Sequence, residues 1–183
     1  MQFRRPLPQD FPKMVQLHNQ NLLNNLTPSE QASGFLSASF SEEQFQAMDQ
    51  DLCVVVCTDS DKLCGYACAG SIQYNQNIPL VAAMIARFPE ISYQGRPLSS
   101  YHPFIYGPVC IDREYRGQGL LPKLIETLLS ALPPGFDALT TLISKDNQRS
   151  IHAHQKLGIE KIGEFEFNGQ SFLILTKKIE AQV

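Results

Sequence analysis

Tyr106-Gly-Pro-Val-Cys-Ile-Asp-Arg-Glu-Tyr-Arg-Gly-Gln-Gly-Leu-Leu-Pro-Lys-Leu-Ile-Glu-Thr-Leu-Leu-Ser130 decides how the rest of the chain is read. It starts as a short apolar run, Val109 to Ile111, turns polar, passes through Arg116-Gly-Gln-Gly119 and then becomes helical. Leu120, Leu121, Leu124, Ile125, Leu128 and Leu129 recur at the spacing of one apolar helix face. Pro122 falls in the first turn, where a missing N–H costs nothing, and Pro133-Pro134-Gly135 stops the helix. Strand, glycine-containing loop and helix N-terminus therefore follow one another. The first N–H groups of a helix lack intrahelical partners and carry partial positive charge. Glycines just before them let a ligand approach the backbone, and Arg116 adds a full charge. Such an arrangement suits a phosphate, most naturally a pyrophosphate. An ordinary strand-to-helix turn with two glycines reads the same way locally.

On the N-terminal side, Phe3 to Arg5 reads as a short strand. Asp10 is placed to cap a helix starting near Phe11, with Pro12 in its first turn and His18 interrupting its apolar face. Asn19 to Leu26 frays into loop, Thr27-Pro-Ser-Glu30 resembles a helix start, and a further helix begins at Ser41 with Glu42 and Glu43 at its positive end. A hairpin over residues 52 to 73 turns at Asp59-Ser-Asp-Lys62. Residues 74 to 103 interrupt the β pattern: Ile78 to Phe88 is apolar and helical, Tyr93 to Pro103 is loop, and together they read as an insertion crossing the face of the sheet.

On the C-terminal side come a strand over Ala138 to Ser144 and a short helix from Asn147 to Leu157 ended by Gly158. A last hairpin, Lys161 to Phe167 and Ser171 to Lys178, turns at Asn168-Gly169. No repeat or linker divides residues 1–183, so the expectation is one α/β domain.

At 183 residues, 43% apolar and 18% charged, the chain has the composition of a globular protein with a full core. A net charge of -3 gives no electrostatic reason to expect nucleic acid. No apolar run approaches the ~18 residues that span a bilayer, and Met-Gln-Phe-Arg-Arg-Pro lacks a signal-peptide hydrophobic region. A cytoplasmic protein with neither membrane nor nucleic-acid partner is expected, and self-association as a homodimer stays open. Cys53-x3-Cys57 and Cys64-x3-Cys68 mimic zinc spacing, but both pairs lie in β-rich runs. Residues four apart on a strand are roughly 13 Å apart, too far to share one zinc with bonds of ~2.3 Å. With the turn at Ser60-Asp61, Cys57 is expected opposite Cys64 and Cys53 opposite Cys68, as reduced core residues.

Two segments together carry a family resemblance. Arg116-Gly-Gln-Gly-Leu-Leu121 resembles the Arg/Gln-x-x-Gly-x-Gly/Ala acyl-CoA motif of the GNAT superfamily of acyl-CoA N-acyltransferases. Asn147-Gln-Arg-Ser-Ile-His-Ala-His-Gln-Lys-Leu-Gly-Ile159 is similar to the family's second region, Asn-x-x-Ala/Ser followed by an aromatic and Lys-Leu-Gly-Phe. Leu121 replaces the last Gly/Ala of the first motif, and His154 stands where the second often has tyrosine. The resemblance covers residues 104 to 178. It implies a single GNAT-like α/β domain: a mixed, mostly antiparallel sheet of six or seven strands flanked by helices and splayed at the cofactor strand. Residues 104–178 would form the acyl-CoA-binding core, while 27–40 and the insertion 74–103 would line the acceptor side.

The implied activity is direct transfer of an acetyl group from acetyl-CoA, used as co-substrate without a metal, to a primary amine of a small-molecule or peptide acceptor. Val109, Cys110 and Ile111 would pair with the pantetheine amides through their backbone. Backbone N–H groups from Gly117, Gln118, Gly119, Leu120 and Leu121 would hold the pyrophosphate, with Arg116 supporting its charge, and Asn147 would lie near the thioester. Among catalytic candidates, His154 matches the proton-donor position, while Asp112 and Tyr106 are candidates for the base, with His102 another polar group nearby. No covalent intermediate is required, so Cys110 reads as a packed strand residue. The absence of an acidic cluster argues against polyamines and histone-like tails, and the apolar and aromatic insertion suits a small or partly apolar acceptor. Two other readings remain: an acyl-CoA-binding module without catalysis, and a dinucleotide-binding domain. The latter lacks its third glycine, because Pro122 occupies that position.

Overall fold

The computed structural model describes residues 1 to 180, so the end of the single-domain reading, residues 181–183, lies outside the described residues. The elements in order are β1 (Gln2–Arg4), α1 (Asp10–Asn19), a 3-10 turn (Leu23–Asn25), α2 (Pro28–Gln31), α3 (Glu42–Asp51), β2 (Cys53–Asp59), β3 (Lys62–Gly70), α4 (Ile72–Asn75), α5 (Pro79–Ile85), β4 (Ser92–Tyr93), β5 (Arg96–Pro97), β6 (Pro103–Ile111), α6 (Leu120–Ala131), β7 (Ala138–Ser144), α7 (Gln148–Gln155), β8 (Glu160–Phe167) and β9 (Gln170–Lys178). Seven strands form one sheet in the order β1-β2-β3-β6-β7-β9-β8. The β6–β7 pair is parallel, while β1–β2, β2–β3, β7–β9 and β9–β8 are antiparallel. The fold is thus α/β with a mixed, mostly antiparallel sheet flanked by helices. Two compact units are recognisable: Met1–Gly70 with Tyr106–Leu132, and Ser71–Ile105 with the chain from Pro133 onward.

In the first unit, every β2 residue from Cys53 to Thr58 is buried, so both faces of the sheet are covered there. Register and alternation separate the two covers. Val56 pairs with Tyr66, whose ring meets Phe45 of α3 and His18 of α1. Cys53, three residues from Val56 and therefore on the other face, points its thiol at the Leu128 carbonyl of α6. Within α6 the apolar face resolves into a deeply buried row, Leu120, Leu124 and Leu128, flanked by half-buried Leu121, Ile125 and Leu129.

Local signals placed most boundaries within a residue or two, and three differences are informative. A bulge at Cys57/Thr58 makes Cys64 the extra residue of the hairpin, so Cys57 pairs with Gly65 and Cys53 with Ala69, one step from the expected pairing. Asp10 does not cap α1 forward. Its carboxylate accepts from the Leu7 N–H at 2.7 Å and pairs with Arg4 at 2.6 Å, leaving Gln9 at the cap. His18, expected to interrupt an apolar face, is fully buried: it bonds the Tyr66 hydroxyl at 2.6 Å and the Ala38 carbonyl at 2.7 Å. That carbonyl can only accept, so Nε2 carries the proton and Nδ1 accepts from tyrosine.

The second unit holds β7, β9, β8 and the residues of the expected insertion. α4 stands at the end of the expected 52–73 hairpin, and a small β4–β5 hairpin opens the stretch 93–103 that was expected as loop. Met84, Phe88, Tyr93, Leu98 and Tyr101 pack in one core with Ile105, Ala138, Phe165, Phe172 and Ile174. The Tyr93 hydroxyl accepts from the Lys178 N–H at 3.0 Å and the Tyr101 hydroxyl donates to the Tyr93 carbonyl at 3.0 Å, tying the segment to β9. Among the described residues no helix is long and apolar enough to cross a membrane.

Candidate active site

β6 pairs with β7 over its first three residues, Pro103↔Ala138 to Ile105↔Thr140. Just beyond, Gly107 has φ 120°, outside extended strand geometry, and Pro108 has no N–H to donate to a ladder. The strand therefore changes course before Val109, Cys110 and Ile111. Val109 and Ile111 are half-buried, and Cys110 is buried.

A one-turn 3-10 segment, Arg113–Tyr115, follows, capped by Asp112 Oδ1, which accepts from the Glu114 N–H at 2.9 Å. Gly117 (φ 76°) and Gly119 (φ 77°) are both left-handed, a conformation costing other residues roughly 1–2 kcal/mol. A Cβ built on either glycine would meet nothing within 4 Å, so the loop surface is open at both. Gly119 is also the N-cap of α6 and offers no side chain to its first amides. An exposed amide-rich loop leading into a 12-residue helix is the geometry that receives a diphosphate, and the residues present fit one. Leu121, the departure from the family pattern, is half-buried on the helix flank. Gln118 is exposed and donates to the Glu114 carbonyl at 2.9 Å.

Arg116 makes three bonds that local spacing did not announce. Its Nε donates to the Ile111 carbonyl at 2.9 Å, Nη1 to the Ser33 carbonyl at 2.6 Å and Nη2 to Asn21 Oδ1 at 2.7 Å. The guanidinium thus braces the loop against the segment before α3, because three nearby oxygens match its planar fork.

Both candidate bases in this unit are engaged by their surroundings. Tyr106 is 1% exposed, and burial, with a smaller contribution from Cys68, pushes its phenol up; it lies in the core. The Asp112 carboxylate is occupied by the 3-10 cap and by Lys62 at 3.3 Å. Burial pushes the Cys110 thiol up to about 12, which removes it as a thiolate nucleophile at neutral pH.

In the second unit, Asn147 is buried and caps α7, its Oδ1 accepting from the Ser150 N–H at 3.3 Å. His154, one turn on, is 3% exposed, and its Nδ1 lies 2.7 Å from the Ser150 carbonyl. That oxygen only accepts, so Nδ1 bears the hydrogen. Burial lowers the His154 pKa against the smaller opposing effect of this bond. The ring is therefore neutral at pH 7 with its lone pair on Nε2. His102 is exposed, and its N–H donates to Asp137 at 2.7 Å. Among the described residues no three His, Cys, Asp or Glu side chains gather as metal ligands do.

Asn21, Glu30 and Ser33 were not anticipated. Glu30 receives the Thr27 N–H at 2.8 Å and Arg113 at 2.8 Å, which hold its carboxyl down at about 2. These partners lie 83 to 95 positions from the arginines they meet, and no local spacing announces such a pair.

A mixed-sheet α/β protein with an open glycine loop feeding a helix N-terminus is the class that fold and geometry define. The sequence model of the acetyltransferase (GNAT) family matches residues 19–159, and the chain belongs to that family. It is 25% identical over 121 residues, 65% of this chain and 76% of the relative, to the probable spermine N(1)-acetyltransferase of Bacillus subtilis subsp. natto strain BEST195. Among solved structures, the smu.2055 protein of Streptococcus mutans UA159 superposes with a TM-score of 0.67 at 18% identity, covering 98% of this chain and 100% of that one. A GNAT phosphinothricin acetyltransferase from Sinorhizobium meliloti, solved in complex with AcCoA, gives 0.64 at 17%, with 97% and 88% covered. These two likenesses bear on the fold alone.

Proposed function

We propose that this chain transfers an acetyl group from acetyl-CoA directly to the primary amine of a small-molecule or peptide acceptor in the cytoplasm. The observation that carries the reading is the open, left-handed Gly117/Gly119 loop entering α6 without a capping side chain. In this reading the N–H groups of Gly117 to Leu121 hold the diphosphate. The backbone of Val109, Cys110 and Ile111 pairs with the pantetheine amides as an added strand does, and Asn147 lies toward the thioester.

The thioester supplies an activated acyl carbon with a thiolate leaving group. The new N–C bond forms as the C–S bond breaks; the amine loses one proton and the thiolate gains one. The amine must be neutral to attack, which is harder for a lysine amine (pKa ~10.4) than for an α-amino group (~8). His154, which stands where the family has its proton donor and is neutral at pH 7, enters as the acid–base group that takes the amine's proton and returns one to the departing thiolate.

Calorimetry with acetyl-CoA, followed by free-thiol release across spermine, spermidine, lysine, an α-amino peptide and an aromatic amine, tests the reading. Binding with turnover on at least one amine supports it. Binding without turnover on any amine assigns a silent acyl-CoA module instead, and absence of binding overturns the reading.

A further inference from the structure

Two arginines of the loop between β6 and α6 reach the same stretch of distant chain. Arg113 bonds the Glu30 carboxylate at 2.8 Å, and Arg116 bonds the Ser33 carbonyl at 2.6 Å and Asn21 Oδ1 at 2.7 Å. Asn21 is 3% exposed and is itself fixed, its Nδ2 donating to the Leu17 carbonyl of α1 at 2.8 Å. The stretch is closed on itself by the Leu22↔Leu36 bridge, with Leu23 N–H on the Leu36 carbonyl at 2.9 Å and Leu36 N–H on the Asn21 carbonyl at 2.8 Å. Arg116 immediately precedes Gly117, and its Nε bond to the Ile111 carbonyl closes the base of the glycine loop. The loop presenting the amides of residues 117 to 121 is thus hydrogen-bonded at its base to groups on residues 21 to 33.

We propose that Arg116 and Arg113 are positioning residues that latch the segment Asn21–Leu36 to the amide loop, so that ligand binding on the loop and order in that segment are a single coupled event. The inference rests on the acyl-CoA reading of the loop and adds how the loop is held in its binding shape. The latch makes Arg116 valuable through its hydrogen bonds, not through its charge on a phosphate. The two roles predict opposite signs for variants that leave the arginines intact. Removing the acceptor of Arg116 in Asn21→Leu, or the negative charge beside Arg113 in Glu30→Gln, frees positive charge next to an anionic ligand. If charge were the role, coenzyme A would bind equally or more tightly. A latch makes both variants bind more weakly.

Calorimetry with coenzyme A and amide hydrogen exchange on the full chain test this. For Asn21→Leu the expected loss of affinity is about fivefold or more, the lower range of measured site-to-site couplings. For Glu30→Gln it is about twofold to fivefold, in keeping with an exposed ion pair. Exchange of amides 22 to 36 is expected to slow on adding coenzyme A to the unsubstituted protein, and this slowing is expected to shrink in both variants. Asn21 is buried, so the exposed Glu30 supplies the variant whose folding is not at issue. Unchanged or tighter binding in either folded variant, or exchange over 22 to 36 indifferent to coenzyme A, overturns the latch while leaving the acyl-CoA reading intact. Failure of the unsubstituted protein to bind coenzyme A overturns both.

Discussion

Gly117 and Gly119 combine left-handed backbone with open space where a side chain would begin, and this makes a clean test at the residue scale. Gly119→Ala is expected to cost roughly 1–2 kcal/mol from the unfavourable φ alone, since its methyl group meets nothing. A charge-assisted bond lost through the shifted amide is worth ~1.5–3 kcal/mol, so acetyl-CoA affinity is expected to fall by about tenfold to a hundredfold. Thermal unfolding and calorimetry separate the two effects, and an affinity loss no larger than twofold would place the diphosphate elsewhere. His154 is the second test. Its pKa lies below 6.5, so an acceptor role gives kcat/KM that rises with pH through a value under 6.5 and then levels. His154→Ala is expected to lose that rising limb; a variant keeping wild-type rates and profile removes His154 from the chemistry.

At the scale of elements, α1, β3 and the chain ahead of α3 meet at one polar contact inside an apolar layer. The Tyr66 hydroxyl donates to His18 Nδ1 at 2.6 Å, and His18 Nε2–H reaches the Ala38 carbonyl at 2.7 Å. Through the last bond this contact holds the chain ahead of α3. Tyr66→Phe leaves a buried imidazole nitrogen without its donor, which costs about 1–3 kcal/mol. Chemical denaturation is expected to show that loss with an unchanged m-value, the sign of the same cooperative unit unfolding. A variant as stable as the parent would show that the pair contributes nothing net.

For the whole molecule, two buried histidines tie stability to pH. Burial lowers the pKa of both His18 and His154 below 6.5, outweighing their backbone hydrogen bonds. The unfolded chain therefore binds protons near pH 6.5 that the folded chain resists. Their contribution is fully present above 6.5 and declines as pH falls toward the folded values. Unfolding free energy measured from about pH 7.5 down to about pH 5.5 is expected to fall, with a shallower slope in His18→Gln; a flat profile would contradict the burial of both rings. The elements were legible because their signals are local. The α6 face repeats every turn, Ser41 and Asn147 cap the helices that follow them, and Asn168-Gly169 turns the last hairpin. The glycine loop was legible for the same reason, since Gly117, Gly119 and the start of α6 are adjacent in the chain. What the chain could not announce depends on partners far along it. A single bulge residue, Cys64, shifted the register of β2 and β3; distant oxygens took the Arg116 guanidinium; and the core enclosed Tyr106. The amino-acid order by itself determined the strand–loop–helix unit and the family, because periodicity, caps and glycines act over a few residues. Only the tertiary structure decided which polar groups stay available for chemistry, because hydrogen-bond partners and burial are properties of contacts made after folding.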